Sequence, residues 1–371
     1  MSKPEEAGLA PRFQLADFAP LISFFTLVLV FSVIASDFLS LTTLTLILKQ
    51  GAVLAIAATG LTFVLLCAEI DLSVGMVALL SACLCGVLWE SSLAAGPKEV
   101  NGAGNVSYLA TGLVILIPLL AAVLMGLLSG WLTISSGLPS FIITLAMMNI
   151  ALGLARFLTR SQKFAVPPVL GELGNSPLLE LHLGRYGTLS IPLSAALAAA
   201  VMIAAHLVLQ HTRFGRYVYM TGGNRQAARL AGVRTERIVI ACLAICATTA
   251  ACGGMVNSGR MNSVSLDQNA DLLLDAVACV VLGGTSLFGG EGSIGRTLIG
   301  VLSFTVLKVG LNITNVERLI KQSALSPQLK EEWLKASWVT HFDLLRPFLM
   351  GVVLLLALVI HGRLVKHRSD S

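Results

Sequence analysis

Charged residues are scarce in this sequence. Asp, Glu, Lys and Arg together make up 12% of the chain, whereas about a quarter of the residues in a soluble domain are charged. Hydrophobic residues account for 56%, and the mean hydropathy is +0.84. This composition excludes an ordinary soluble protein. It predicts an all-α, polytopic membrane protein with a single transmembrane domain over residues 1–371.

The sequence also lacks the common motifs of catalysis and metal binding. No glycine-rich stretch has the G-x-x-x-x-G-K-[ST] spacing, so we expect this chain to bind no ATP itself. No His-x-x-Glu-His or Cys-x-x-Cys spacing occurs, and the seven cysteines lie in or beside apolar segments, which indicates no disulfide framework. We therefore predict a chain that is not an enzyme and that binds neither a metal nor a cofactor.

Ten apolar segments are candidate membrane spans, because a helix needs about 20 apolar residues to cross the hydrocarbon core. Glycines interrupt several of them, and an even number of spans places both termini on the same side of the membrane. The predicted spans are residues 19–36, 44–67, 71–88, 109–129, 140–158, 189–209, 238–256, 272–287, 294–313 and 342–360.

Residues 210–237 form a polar segment between two spans, with six arginines and one acid, Glu236. Lys and Arg are retained on the cytoplasmic side during membrane insertion. We therefore place this segment, the N-terminal residues 1–18 and the tail 361–371 in the cytoplasm, and the polar segment 314–341 outside. The net charge of +5 follows from this bias, and no basic stripe with aromatic residues indicates nucleic-acid binding.

Local structure is predicted inside this arginine-rich segment. Gly222 and Gly223 indicate a turn, and Asn224 is a good N-cap for a short helix that begins at Arg225. Gly232 fits the C-terminal end of that helix. Three alanines are expected to form a small, smooth contact surface on it: Ala227, Ala228 and Ala231. The alternative is a basic loop that only sets the topology.

Polar or glycine-rich residues interrupt the apolar pattern at three further places. Glu69 and Asp71 lie between spans two and three, where a carboxylate either caps the third span or faces a polar path. Thr144 lies near the start of the fifth span, and Asp275 near the start of the eighth. The glycine-rich residues 283–292 favour close helix packing or a break that lines a cavity.

Four strings of residues together resemble a known family. They are AEIDLSVG at 68–75, GLPSFIITLAMMNIALGLAR at 137–156, GRYVYMTGGNRQAARLAGV at 215–233 and DAVACVVLGGTSLFGGEGSIGRTLIG at 275–300. Their order and spacing resemble the permease subunits of bacterial ABC importers for monosaccharides and related small polar solutes, of the ribose, xylose and autoinducer type. The resemblance covers about residues 18–362. The polar segment 315–343 is longer than in that family.

The resemblance implies a multi-pass protein of the bacterial inner membrane with both termini in the cytoplasm. It implies three protein partners: a second permease, identical or different, a cytoplasmic ATPase that uses ATP and Mg, and a periplasmic or extracellular solute-binding protein. It also assigns residues 215–232 to the loop that docks on the ATPase. The ATPase-coupling residues are then Gly215, Arg216, Gly222, Gly223, Asn224, Ala227, Ala228 and Gly232.

A path of hydroxyl, amide and carboxyl groups suits a neutral, hydroxylated solute. The candidates for such a translocation path are Glu69, Asp71, Ser73, Thr144, Asn149, Asp275, Thr285, Ser286 and Asn312. No fixed buried cation is evident as a partner for an anionic solute, and Lys49, Arg156 and Lys308 could extend to a membrane interface. The alternatives are an importer for nucleosides or branched-chain amino acids, an ion-coupled secondary transporter, and a membrane scaffold without solute flux.

Overall fold

The computed structural model describes residues 18–35, 37–91, 108–183, 188–316 and 342–369, and single or paired positions between 320 and 339. Three predicted segments therefore lie wholly or mostly outside the described residues. They are the N-terminal segment 1–18, the loop before the fourth span and the polar segment 314–341.

The described chain is mainly helical, which confirms the predicted all-α membrane class. The helices are α1 (Ala19–Ile34), α2 (Leu41–Leu66), α3 (Val74–Glu90), α4 (Tyr108–Ser136), α5 (Ser140–Thr159), α6 (Pro168–Asn175), α7 (Leu193–His211), α8 (Arg213–Gly223), α9 (Arg225–Leu230), α10 (Thr235–Met261), α11 (Leu272–Leu282), α12 (Ile294–Ile313) and α13 (Phe342–Ser369). Between α6 and α7, strands β1 (Pro177–His182) and β2 (Thr188–Pro192) form an antiparallel hairpin that the sequence analysis did not predict.

Six of these helices are long and apolar enough to cross a membrane, judged by length and composition: α2, α4, α5, α7, α10 and α12. Shorter apolar stretches occur in α1, α3, α11 and α13. Each of the ten predicted spans corresponds to one of these helices, while the number that crosses the membrane stays a prediction.

The predicted eighth span is wrong in its length. Residues 272–287 were expected to be helical, but α11 ends at Leu282, where the chain enters its glycine-rich turn. Eleven residues rise about 16 Å, roughly half of the hydrocarbon thickness of about 30 Å. If α11 lies in the membrane, irregular backbone next to it must also lie at membrane depth, where it is tolerated only against protein or a cavity.

Helices α2 and α10 form the centre of the bundle. Every residue of α2 from Gly51 to Leu66 is buried, and α10 packs against α2, α3 and α4. Glycines make these contacts close: Gly60 of α2 lies against the backbone of Cys246, and Gly130 of α4 against that of Ile240. Small residues at crossing points let the backbones of membrane helices approach and gain van der Waals contact.

The bundle has two distinct ends. The arginine-rich end, as we call it, contains α8, α9, the C-terminus of α2 and the turn between α11 and α12. The turn lies beside the C-terminus of α2, because Gly290 N donates to Leu66 O at 3.0 Å. The opposite end, called the hairpin end, contains α6, the β-hairpin and the C-terminus of α10. Helix α6 lies beside the C-terminus of α10, because Asn175 Nδ2 donates to Gly259 O at 3.0 Å.

Candidate functional site

Helix α9 is capped as the sequence predicts. Asn224 Oδ1 accepts a hydrogen bond from Ala227 N at 2.9 Å, and the helix begins at Arg225. At its other end Gly232 has a φ of +81°, and Val233 N donates to Ala228 O at 3.0 Å. These bonds satisfy backbone groups at both ends of a helix of six residues that has too few internal hydrogen bonds to stand alone.

The sequence analysis missed α8, which precedes α9 and was taken as loop. Thr212 Oγ1 accepts from Gly215 N at 3.2 Å and caps this helix. A threonine followed by alternating apolar and basic residues was the available signal. Gly215 is buried against the backbone of Leu209, whereas Arg216 is exposed. Residues 213–230 are therefore two short helices instead of one helix in a loop.

The expectation that Ala228 belongs to a contact surface for another protein is wrong. Ala228 is only 1% exposed and packs inside this chain, whereas Ala227 and Ala231 are exposed. Successive helical residues are rotated by about 100°, so Ala227 and Ala231 share a face and Ala228 does not. The exposed face also carries Leu230, which is 91% exposed.

Glycines let α8 pack backbone against backbone with the rest of the bundle. Gly222 lies against the carbonyl of Leu66, and Gly223 against the backbone of Gly290, with no space for a side chain on Gly222. Gly289 and Gly290 have φ values of +88° and +74°, a conformation that favours glycine. The end of α8, the end of α2 and the glycine-rich turn therefore form one backbone-to-backbone contact.

A tyrosine adds a second link between α8 and the glycine-rich turn. Tyr219 Oη donates to Gly292 O at 3.0 Å. Burial raises the pKa of the Tyr219 phenol, so it stays protonated and able to donate at neutral pH.

Thr285 and Ser286, two of the predicted path residues, belong to the glycine-rich turn itself. Ser286 N donates to Glu291 O at 2.9 Å, and Thr285 is buried against Gly292. They lie at the arginine-rich end and shape the turn. Phe288, at the tip of the same turn, is 90% exposed.

An ion pair fastens α9 to the segment that follows α2. Arg225 Nη2 lies 2.5 Å from Glu69 Oε1, and the side chains are 36% and 9% exposed. A nearly buried carboxylate needs a cation or several donors nearby, because an unpaired buried charge is costly. Glu69, predicted as a path residue, therefore holds α9 in place in this structure.

Asp71, Ser73 and Thr144 hold the irregular segment between α2 and α3. Asp71 Oδ1 accepts from Ser73 N at 2.8 Å and from Ser73 Oγ at 2.6 Å. Thr144 Oγ1 accepts from Leu72 N at 3.1 Å. Ser140, which the sequence analysis did not single out, accepts from Ile70 N at 3.0 Å. These side chains satisfy backbone donors that neither helix can pair.

Asn149 lies apart from the other predicted path residues. It is exposed on α5, and its Nδ2 donates to Leu145 O of its own helix at 3.0 Å. It faces away from the bundle, so within one chain it lines no path.

Asp275 and Asn312 meet at the hairpin end, where they line a polar cavity of about 230 Å³ between α2, α10, α11 and α12. At this place the structure brings two predicted path residues together around open space. Several polar residues there were not predicted to belong together. They are Gln50, Asn257, Arg260, Asp267, Asn269, Asp271 and Lys308.

Lys308, one of three basic residues that the sequence suggested could extend to a membrane interface, forms an ion pair. Its Nζ lies 2.6 Å from Asp275 Oδ2. Lysine on α12 and aspartate on α11 face each other because the two helices pack antiparallel, with Gly300 against the backbone of Cys279. A paired charge at membrane depth costs far less than an isolated one.

Comparisons with known proteins show the family to which this chain belongs. The sequence matches the family described as the permease component of branched-chain amino acid transport systems over residues 43–358. The chain belongs to this permease family. The ribose import permease protein of Escherichia coli K12 is 34% identical over 299 residues, 80% of this chain and 86% of that protein. No solved structure matches.

Two other relatives of this permease are import permeases as well. The fructose import permease protein of Rhizobium meliloti is 30% identical over 302 residues, 80% of this chain and 79% of that protein. The autoinducer 2 import system permease protein of Photorhabdus laumondii is 32% identical over 334 residues, 90% and 85% of the two chains. This chain is therefore a transmembrane permease subunit of an ABC importer, and it is a translocation component, not an enzyme.

Proposed function

We propose that this permease moves a monosaccharide, or a similar small polyhydroxylated solute, across the bacterial inner membrane. The relatives named for ribose and fructose import support this solute class, since each covers about four fifths of the chain. In this proposal the termini and the arginine-rich end face the cytoplasm. A separate ATPase supplies ATP hydrolysis with Mg, a binding protein delivers the solute outside, and a second permease completes the channel.

The coupling path in this proposal begins at the exposed face of α9, which contacts the ATPase. Movement of α9 is transmitted to the end of α2 through the Arg225–Glu69 ion pair. Movement of α8 is transmitted to α2 and to the glycine-rich turn through the contacts of Gly222 and Gly223. Because α2, α11 and α12 also line the polar cavity, the same rigid elements connect ATPase docking to the solute side.

A branched-chain amino acid is the second candidate solute, and the description of the matching family favours it. An amino acid carries a carboxylate and needs an apolar pocket for its side chain. The cavity at the hairpin end has three aspartates among its lining residues and two cations, Arg260 and Lys308. Nine of the thirteen lining residues are polar or charged, and such a lining suits the hydroxyl groups of a sugar.

Reconstitution tests the proposal. The permease, its ATPase and its binding protein are placed in proteoliposomes with ATP inside, and uptake of D-ribose, D-xylose, D-fructose and L-leucine is measured. We expect ATP-dependent uptake of at least one sugar and none of L-leucine, and no ATP hydrolysis by the permease alone. Uptake of L-leucine without any sugar, uptake driven by an ion gradient without the ATPase, or hydrolysis by the isolated chain contradicts the proposal.

A further inference from the structure

The β-hairpin between α6 and α7 has an apolar side. Residues directly opposite each other in an antiparallel pair project to the same side of the ribbon. Leu181 lies opposite Leu189, and the next pair on that side is Leu179 with Ile191. These four side chains form one side of the hairpin, which we call the apolar face.

The other side of the same ribbon is polar. Glu180 lies opposite Ser190, and His182 lies opposite Thr188. The last two are close enough to interact, because His182 Nδ1 lies 2.9 Å from Thr188 Oγ1. We call this side the polar face. Such alternation is typical of antiparallel strands with one side in water and the other against apolar material.

The apolar face is not buried by the part of the chain that the structure describes. Leu179 and Leu181 are 48% and 43% exposed, while Leu189 and Ile191 are half-buried. The hairpin is attached through the edge of β2, which leaves its faces accessible, since a backbone N–H of that strand donates to α2 (next paragraph). A two-stranded ribbon has little stability by itself, and an exposed apolar patch indicates a contact with a partner or a membrane.

The attachment to α2 gives the depth of the hairpin in the membrane. Ser190 N donates to Thr45 Oγ1 at 3.3 Å. Helix α2 has 26 residues, which rise about 39 Å and exceed the hydrocarbon core of about 30 Å by roughly three residues at each end. Thr45 is the fifth residue of α2, so with α2 spanning the membrane it lies at the boundary of the hydrocarbon. Leu44 and Leu46 beside it are exposed apolar residues.

Helix α7 places the hairpin at the same depth. Strand β2 ends at Pro192, and α7 begins at Leu193 without a connecting residue. The 19 residues of α7 rise about 28 Å, close to the full thickness of the hydrocarbon core. With α7 spanning the membrane, Leu193 therefore also lies at the boundary. A ribbon attached to the first turns of both helices lies in the interfacial layer, within reach of acyl chains and of water.

The chemistry of the two faces determines how the hairpin is oriented in this layer. A carboxylate such as that of Glu180 is costly in hydrocarbon, whereas leucine and isoleucine are favourable there. The apolar face therefore turns toward the acyl chains, and the polar face turns toward headgroups and water. A soluble binding protein approaches from the water and would have to penetrate below the headgroups to cover the apolar face.

We propose that the β-hairpin is an interfacial lipid-binding element, whose apolar face inserts among the phospholipid acyl chains of the leaflet at the hairpin end. Amphipathic elements of this kind bind membranes through their buried apolar area. The contact needs only the bilayer, without ATPase, binding protein or solute, so it goes beyond the proposed function and is independent of which solute is transported. It fixes the connection between α6 and α7 at the membrane surface.

Spin-label accessibility tests this contact with the full-length permease in phospholipid nanodiscs. A nitroxide on Leu181→Cys reports on the apolar face, and a nitroxide on Glu180→Cys reports on the polar face one residue away. Collisions with oxygen, which concentrates among acyl chains, are compared with collisions with a water-soluble nickel chelate. We expect oxygen to dominate for Leu181→Cys and nickel to dominate for Glu180→Cys.

Reference positions define the two limits of this measurement. Ile203→Cys is the lipid reference, because Ile203 is 61% exposed on the apolar helix α7. Gln226→Cys, at an exposed position of α9, is the water reference. Six of the seven native cysteines are buried and Cys252 is half-buried, so the parent protein labelled in the same way gives the background.

Each outcome supports or overturns the proposal. An oxygen-to-nickel collision ratio for Leu181→Cys close to that of the lipid reference, with Glu180→Cys close to the water reference, supports it. Nickel dominating at both positions places the hairpin in water, where a binding protein can reach it. Low collision rates with both reagents for Leu181→Cys mean that protein covers the apolar face, for example a second permease. Either result overturns the lipid contact, as does oxygen dominating for Glu180→Cys.

A second position guards against a folding defect. Leu179→Cys lies on the same apolar face and replaces Leu181→Cys if that variant gives little folded protein. The same collision ratio is expected for it, because the two leucines alternate with Glu180 along β1. A nickel-dominated ratio for Leu179→Cys would overturn the proposal in the same way.

Discussion

Gly222 of α8 lies against the carbonyl oxygen of Leu66, the last residue of α2, so closely that no side chain fits between them. The same carbonyl accepts a hydrogen bond from Gly290 N at 3.0 Å. One carbonyl group therefore joins the arginine-rich segment, a central helix and the glycine-rich turn. In the proposed coupling path, movement of α8 passes to α2 and to the glycine-rich turn through this junction.

Gly222→Ala tests this junction. The added Cβ must push α8 away from α2, and overpacking of this kind costs about 1–3 kcal/mol. We expect a lower midpoint of thermal unfolding in detergent and reduced solute uptake. Gly153→Ala is the matched control, because Gly153 is an exposed helical glycine of α5 and a Cβ on it meets no other atom within 4 Å. Equal behaviour of the two variants would show that the close contact does not matter.

Arg225→Gln tests the ion pair between α9 and the segment after α2. Glu69 then remains nearly buried without its cation, and because Arg225 is about one third exposed we expect a loss of only about 1–2 kcal/mol of stability. Arg229→Gln is the control, since its partner Glu236 lies in an exposed pair at 2.8 Å. The double variant Glu69→Gln with Arg225→Gln should recover part of the loss. A larger effect of Arg229→Gln would contradict this prediction.

Leu230→Ser tests the docking face of α9. Leu230 is 91% exposed, so the permease should keep its abundance and thermal stability, while retention of the ATPase on an affinity column should fall about tenfold or more, as for a loss of 1.4 kcal/mol or more. Leu178→Ser, at an exposed site in the β-hairpin, is the control. Full retention of the ATPase by the Leu230 variant would exclude this face as the contact.

Ala228→Glu tests the corrected orientation of α9. Because Ala228 is buried in its own chain, a glutamate there should reduce the amount of folded permease before any partner is added. Ala227→Glu changes the exposed neighbour and should leave the abundance unchanged. Normal yield and thermal stability of the Ala228 variant would mean that α9 does not pack as described.

Single-cysteine labelling tests the orientation in the membrane. An impermeant thiol reagent added from outside should modify Ser176→Cys, at the hairpin end, and should not modify Gln226→Cys in α9 unless the cells are opened. The reason is the arginine bias of residues 210–237. Labelling of Gln226→Cys from outside would reverse the orientation and remove α9 from reach of any cytoplasmic ATPase.

The sequence by itself determined the class, most of the helices and the ends of α9. Apolar runs of about 20 residues are strong signals because the hydrocarbon core demands them. The caps of α9 were predictable because Asn224 and Gly232 act on residues only a few positions away. The family resemblance was recognisable from four strings, since their order and spacing are properties of the sequence alone.

Only the tertiary structure decided which polar residues contact one another. Glu69 pairs with Arg225, 156 positions away in the sequence, and Lys308 pairs with Asp275 across an antiparallel helix pair. Asn257, Arg260 and Asn269 form one cavity wall because α10 ends and the chain turns back there. No local pattern encodes such contacts, because they depend on how glycines let the helices cross. For the same reason, the burial of Ala228 and the exposure of Ala227 followed from packing and not from helix propensity.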